Sequence, residues 1–133
     1  MLIIFKSKVA GDIIMFEENA KAVLDALGRD VEKGIILADE AEAAIAKLQA
    51  EIERRKVIEA NEKAERDAQD KERAEREARA RESGDVEELE KILQEKERRK
   101  ERPEPVSFAA RVYPLMDMLK RAHKKKKDIV WGV

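Results

Sequence analysis

The apolar positions of this chain change period several times, and each change marks an expected element. Leu2–Val9 is rich in β-branched and aromatic residues (Ile3, Ile4, Phe5, Val9), apolar on both faces at first and polar on one face by Lys6 and Lys8. That pattern predicts a strand entering a core. Gly11-Asp12 then resets the period. Ile13, Phe16, Ala20, Val23, Leu24 and Leu27 recur at helical spacing, with Asp12 as the expected N-cap and Gly28 as the closing glycine, which predicts a helix over 13–27. Ile35-Ile36-Leu37 reads as a short buried segment. Asp39-x-x-Glu42 has the spacing of a capping box, and Ala41, Ala44, Ile45, Leu48 and Ile52 form the core face of a further helix, 39 to about 57.

Beyond Ile58 the stripe fails. No Gly or Pro occurs between Gly34 and Gly84, and acid-to-base pairs four residues apart run along the segment: Glu59–Lys63, Glu62–Arg66, Asp67–Lys71, Glu72–Arg76, Glu75–Arg79 and Glu77–Arg81. Each such pair contributes about 0.2–0.5 kcal/mol to an isolated helix. Ser83-Gly84-Asp85 is a break and restart. Val86, Leu89, Ile92 and Leu93 give a second helix, 86–101, a small apolar patch with which it can fold back as a hairpin. Pro103 and Pro105 end it. Ser107 is the expected N-cap of a helix over 108–123 bearing Phe108, Val112, Leu115, Leu119 and Ala122. Pro114 lies inside that pattern and is expected to kink the helix or divide it. The chain closes on Asp128–Val133, a short strand with Ile129, Trp131 and Val133 on one face.

These elements predict an α+β fold in which two short terminal strands, 2–8 and 128–132, pair side by side and are covered by about three helices, with a long charged helical insert. Residues 1–58 and 104–133 form one small domain, and 59–103 the insert. Composition sharpens that division. Between Glu51 and Arg102, 34 of 52 residues are charged (18 acidic, 16 basic), whereas the other 81 carry 25 charges. A folding unit of that size is marginal on surface-to-volume grounds, which predicts a homodimer.

The start, MLIIFKSKVAGDIIMF, and the end, PVSFAARVYPLMDMLKRAHKKKKDIVWGV, resemble an uncharacterised family of small bacterial proteins. It is the domain-of-unknown-function family numbered eighteen-forty. GIILADEAEAAIAKL is similar to that family's central segment. The Trp131-Gly132 ending is the most distinctive part of the resemblance, and residues 53–102 depart from the family's often acidic segment. The resemblance implies no activity.

Candidate chemistry is sparse. There is no cysteine, which excludes disulfides and thiolate metal sites and fits a reducing, cytoplasmic location. No apolar run reaches membrane-span length. His123 is the only histidine and has no aligned carboxylate partner. Lys6-Ser7-Lys8 lacks the glycine spacing of a phosphate loop. Glu17-Glu18 suit a helix start, the methionines suit core packing, and Trp131 and Tyr113 fit a core. The one concentrated positive patch is Lys120, Arg121, Lys124, Lys125, Lys126 and Lys127, a possible site for an anion or nucleic acid. With a net charge of −1 it reads first as lysines compensating a helix dipole. The leading expectation is a non-catalytic structural or protein-interaction module with no cofactor and no membrane partner. Behind it stand a nucleic-acid-binding accessory using the lysine patch, and an enzyme of unrecognised type.

Overall fold

The structure is a computed structural model and describes residues 1–102 and 104–133. The elements run β1 (Leu2–Ser7), β2 (Ala10–Phe16), α1 (Glu17–Leu27), β3 (Gly34–Ile36), a single 3-10 turn (Ala38–Glu40), α2 (Ala41–Ser83), α3 (Val86–Glu101), α4 (Phe108–Lys125) and β4 (Ile129–Trp131). The fold is α+β. Its strands form one antiparallel sheet in the order β2-β1-β4-β3, so the two ends of the chain do lie side by side. Backbone contacts divide the chain into two compact units: Met1–Lys56 with Ser107–Val133, and Val57–Val106.

In the first unit, alternation along the strands sends Ile3, Phe5, Met15, Ile36, Ile129 and Trp131 to one face. There they join Ala20, Val23, Leu24 and Leu27 of α1, Ala41, Ala44 and Leu48 of α2, and Val112, Leu115, Leu119 and Ala122 of α4 in a single apolar cluster. The register places Ile3 opposite Met15 and Phe5 opposite both Ile13 and Trp131. The Phe5 and Trp131 rings meet at 5.7 Å between centroids, a separation at which aromatic pairs add to plain burial.

Several expected boundaries move. The helix expected from residue 13 begins only at Glu17, because Ile13–Phe16 pairs with Leu2–Phe5 as the second arm of a hairpin. Its β-branched and aromatic residues suit a half-buried sheet better than a first helical turn. Asp12 is therefore an exposed strand residue and caps nothing. The helix start is satisfied from the sheet instead: the Glu17 N–H bonds the carbonyl of Met1 at 2.9 Å. Gly28 does close α1, at φ 71°, with the Arg29 N–H bonding Leu24 O at 2.8 Å. Ile35-Ile36 belongs to an edge strand, β3, paired with β4. The expected Asp39/Glu42 box is displaced by two residues: Glu40 Oε1 accepts the Leu37 N–H at 3.0 Å, and Asp128 Oδ1 accepts the Ala38 N–H at 2.8 Å.

Ser107 caps α4 as expected, its hydroxyl accepting the Ala110 N–H at 3.2 Å. The helix is not divided at Pro114. Proline supplies no N–H to the carbonyl of Ala110, but both residues lie on the solvent face, where water can satisfy that oxygen. Val133 is exposed rather than aligned in the core with Ile129 and Trp131.

In the second unit, the later part of α2 and α3 form an antiparallel helical hairpin. Gly84 turns the chain at φ 72°, and Asp85 caps α3 by accepting the Glu88 N–H at 3.1 Å. Of the expected patch only Ile92 is buried; on α2, Ala80 is buried as well. The hairpin is stitched by charge instead. Arg76 pairs with Glu88 and, at 2.9 Å, with Glu95; Arg99 reaches Asp70 at 3.3 Å; and Lys96 pairs with Glu77. Glu77 also holds Arg81 at 2.7 Å, one of the within-helix pairs expected from the sequence. Pro103, expected to end the second helix, lies outside the described residues.

Candidate functional site

The six residues of the expected basic patch are spread over the exposed side of α4 and the turn that follows it. Lys120 and Arg121 lie on the exposed side of α4, and Arg121 Nε is paired with Asp117 at 3.1 Å. Lys124 and Lys125 occupy the last turn, beside an exposed His123. Lys126 and Lys127 face a concavity. They line a groove of about 480 Å³ with Lys6, Ser7, Lys8, Asp128 and Val130.

The local sequence explains this groove. β1 ends at Ser7, and the antiparallel register sets Lys6 opposite Val130 and Ser7 opposite Ile129. Residues at the end of β1 thus meet the turn that leads into β4. The Ser7 hydroxyl donates to Asp128 O at 2.9 Å and pins the two segments together. α4 ends at Lys126, which takes a left-handed conformation at φ 57°, while the Lys127 N–H returns to Ala122 O at 3.0 Å. Asp128 is the one carboxylate in the lining, and its Oδ1 is committed to the Ala38 N–H.

The sequence weighs Lys6-Ser7-Lys8 only as a phosphate loop and does not group Lys6 and Lys8 with Lys126 and Lys127. Their signal was present as two polar positions at the end of a strand already expected to pair with the C-terminus. The missing information was strand direction: an antiparallel pairing brings Lys6–Lys8 to Lys126-Lys127, and a parallel one takes them away.

The remaining candidates have structural roles. Trp131 is fully buried, and its indole Nε1–H donates to Asp30 O at 2.8 Å. Gly132 stands at φ 75°, where an added Cβ would lie 2.0 Å from the carbonyl oxygen of Glu32. The distinctive ending is therefore a packing motif. Tyr113 is not a core residue; it is 72% exposed on α4 and does not line the lysine groove. Met15, Met116 and Met118 are buried, and Glu17-Glu18 fill the first turn of α1. Among the described residues, no group of three or more His, Asp or Glu side chains is placed to hold a metal ion.

A second hollow, about 240 Å³, is lined by Leu27, Arg29, Ile36, Glu40, Ala44 and Lys47, among others. Two of its polar members are paired with each other: Arg29 holds Glu40, and that guanidinium together with the Leu37 N–H keeps the Glu40 carboxyl below its ordinary range. On the neighbouring surface of α2, Glu51 is pulled down to about 2, first by Arg54 and then by Arg55. Arg55 in turn lies 4.3 Å over the Phe108 ring.

The model of one family, described as Domain of unknown function (DUF1840), matches residues 1–131. The chain belongs to the DUF1840 family. That match spans the sheet, all four helices and the lysine groove. No curated protein and no solved structure matches the chain. Among the described residues of this DUF1840 chain, no helix is long and apolar enough to cross a membrane.

Proposed function

We propose that this protein is a non-catalytic protein-interaction module that self-associates as a homodimer, in the bacterial cytoplasm. One observation carries the reading. All the helices packed on the sheet gather on one face, and the other face leaves Leu2, Ile4, Ile14, Phe16 and Ile35 between 37% and 63% exposed. Cross-strand pairing makes the patch continuous: Leu2 opposes Phe16, and Ile4 opposes Ile14. At about 200 Å² for a large side chain, the four on β1 and β2 amount to roughly 400 Å². Apolar patches of this size on a monomer are often functional.

A second copy is the partner that fits. A strip covering two neighbouring strands is self-complementary under a two-fold axis. Two such strips bury roughly 800–900 Å², the range of weak and transient interfaces, so the dimer is reversible rather than obligate.

Sedimentation equilibrium over 5–200 µM tests this. A dimer that forms within this range and is abolished by Ile14→Glu supports the reading. A wild-type chain that stays monomeric throughout overturns it.

A further inference from the structure

The lysine groove is not used by that reading. We propose that it binds a compact, multiply charged phosphate anion, a short polyphosphate chain or the polyphosphate end of a small molecule. Four ammonium groups, Lys6, Lys8, Lys126 and Lys127, line one concavity from two segments distant in sequence. They enter no ion pair among the described residues. The groove's one carboxylate, Asp128, is engaged by a backbone N–H. Four lysines against one carboxylate leave the empty groove with an excess of like charge, and an anion relieves that repulsion.

The backbone supplies a second, independent observation. Lys126 is the only non-glycine residue with positive φ among the described residues, whereas glycine stands at the three other such positions, 28, 84 and 132. A side chain in the left-handed region is strained relative to glycine, and strain of this kind gathers at binding sites. Here the strained residue is one of the lysines that line the groove.

Size and lining choose among anions. A volume near 480 Å³ suits a small ligand. The lining offers Val130 and no aromatic ring, so bases have nothing to stack on, which disfavours single-stranded nucleic acid.

Titration calorimetry of the full chain with sodium tripolyphosphate in 25 mM salt tests the proposal. Saturable binding of one tripolyphosphate per chain is expected. Lys6→Gln/Lys127→Gln should weaken it about tenfold, as removing two partly exposed charge contacts implies. Lys120→Gln/Lys124→Gln, on α4 and outside the groove lining, should change it less than about twofold. Lys6→Arg/Lys127→Arg should retain it. No saturable binding overturns the proposal. So does an equal loss in the two glutamine pairs, or tighter binding of an oligouridylate that depends on Lys120 and Lys124. Ile14→Glu should bind tripolyphosphate as the wild type does, so failure of the dimer and failure of the anion site are separate results.

Discussion

Gly34 and Trp131 face each other across β3 and β4, and Gly34→Ala measures how tightly the C-terminal strand is seated. A Cβ built at Gly34 lies 2.4 Å from Cζ2 of Trp131, 2.9 Å from Cε2 and 3.0 Å from Cη2. Carbon atoms rest at about 3.5–4.0 Å, so the indole must retreat by roughly 1 Å. It has little room to do so. The ring is fully buried, touches Phe5, and is tethered by Nε1–H to Asp30 O at 2.8 Å. Overpacking of this kind costs about 1–3 kcal/mol, and a strained or broken tether adds about 0.5–1.5 kcal/mol. The sum, about 2–4 kcal/mol, lowers the melting temperature of a unit this small by on the order of 10–20 °C. Trp131 is the only tryptophan, so its emission reports this unit directly. Thermal and urea unfolding followed by that emission should show the loss and a red shift in the folded baseline. Gly11→Ala, with nothing within 4 Å of its added Cβ, is the control and should stay within about 0.5 kcal/mol of wild type. Combining Gly34→Ala with Trp131→Phe removes the clashing atoms. Calorimetry should then show a double variant less destabilised than the two single losses added, by about 1 kcal/mol or more. A Gly34→Ala protein with unchanged melting and unchanged emission would refute the packing argument.

Three other outcomes follow from the same geometry. Glu51 has its folded value depressed from 4.5 to about 2, so the stability from its ionisation is present above about pH 4.5 and is lost as pH falls toward 2; carbon-detected NMR titration should find its midpoint near 2, and a midpoint near 4.5 would contradict the Arg54 and Arg55 contacts. The helical hairpin depends on exposed charge pairs and buries only Ala80 and Ile92 fully, so raising salt from 0.05 to 1 M should speed amide exchange in α3 while leaving β1 and α4 unaffected; equal protection at both salt levels would show that the pairs contribute nothing. Lys126→Gly should raise the melting temperature by a few degrees, since glycine relieves about 0.5–1 kcal/mol at φ 57°, whereas a fall would show that the side chain stabilises the helix end.

The elements most legible in the sequence were those whose signal is local. Gly28, Ser107 and Gly84-Asp85 act through the backbone groups next to them, and each ends or starts a helix as read. The alternation in β1 and the 3–4 spacing of Val112, Leu115, Leu119 and Ala122 likewise marked the residues that are buried. Ile13–Phe16 misled for a reason within the same logic: two apolar positions three apart satisfy a helical stripe, and only the partner strand selects the extended form. Asp12 offered a cap that the Met1 carbonyl made unnecessary.

The sequence by itself determined that this chain is α+β, that its ends pair, and that a charged helical stretch separates them. These follow from periodicity, propensity and the absence of breakers, all properties of neighbouring residues. Tertiary structure alone decided the rest. Strand direction brought Lys6 and Lys8 to Lys126 and Lys127 and left Lys120 and Lys124 outside. Register put Gly34 beneath Trp131. The sheet order left Leu2, Ile4, Ile14 and Phe16 uncovered. In the hairpin, Glu77 holds Lys96 as well as its own helix neighbour Arg81. The physical reason is common to all four. A residue's local preference fixes its conformation, but its neighbours in space come from chain segments more than 100 residues away, as between Ser7 and Asp128, and no local pattern encodes that meeting.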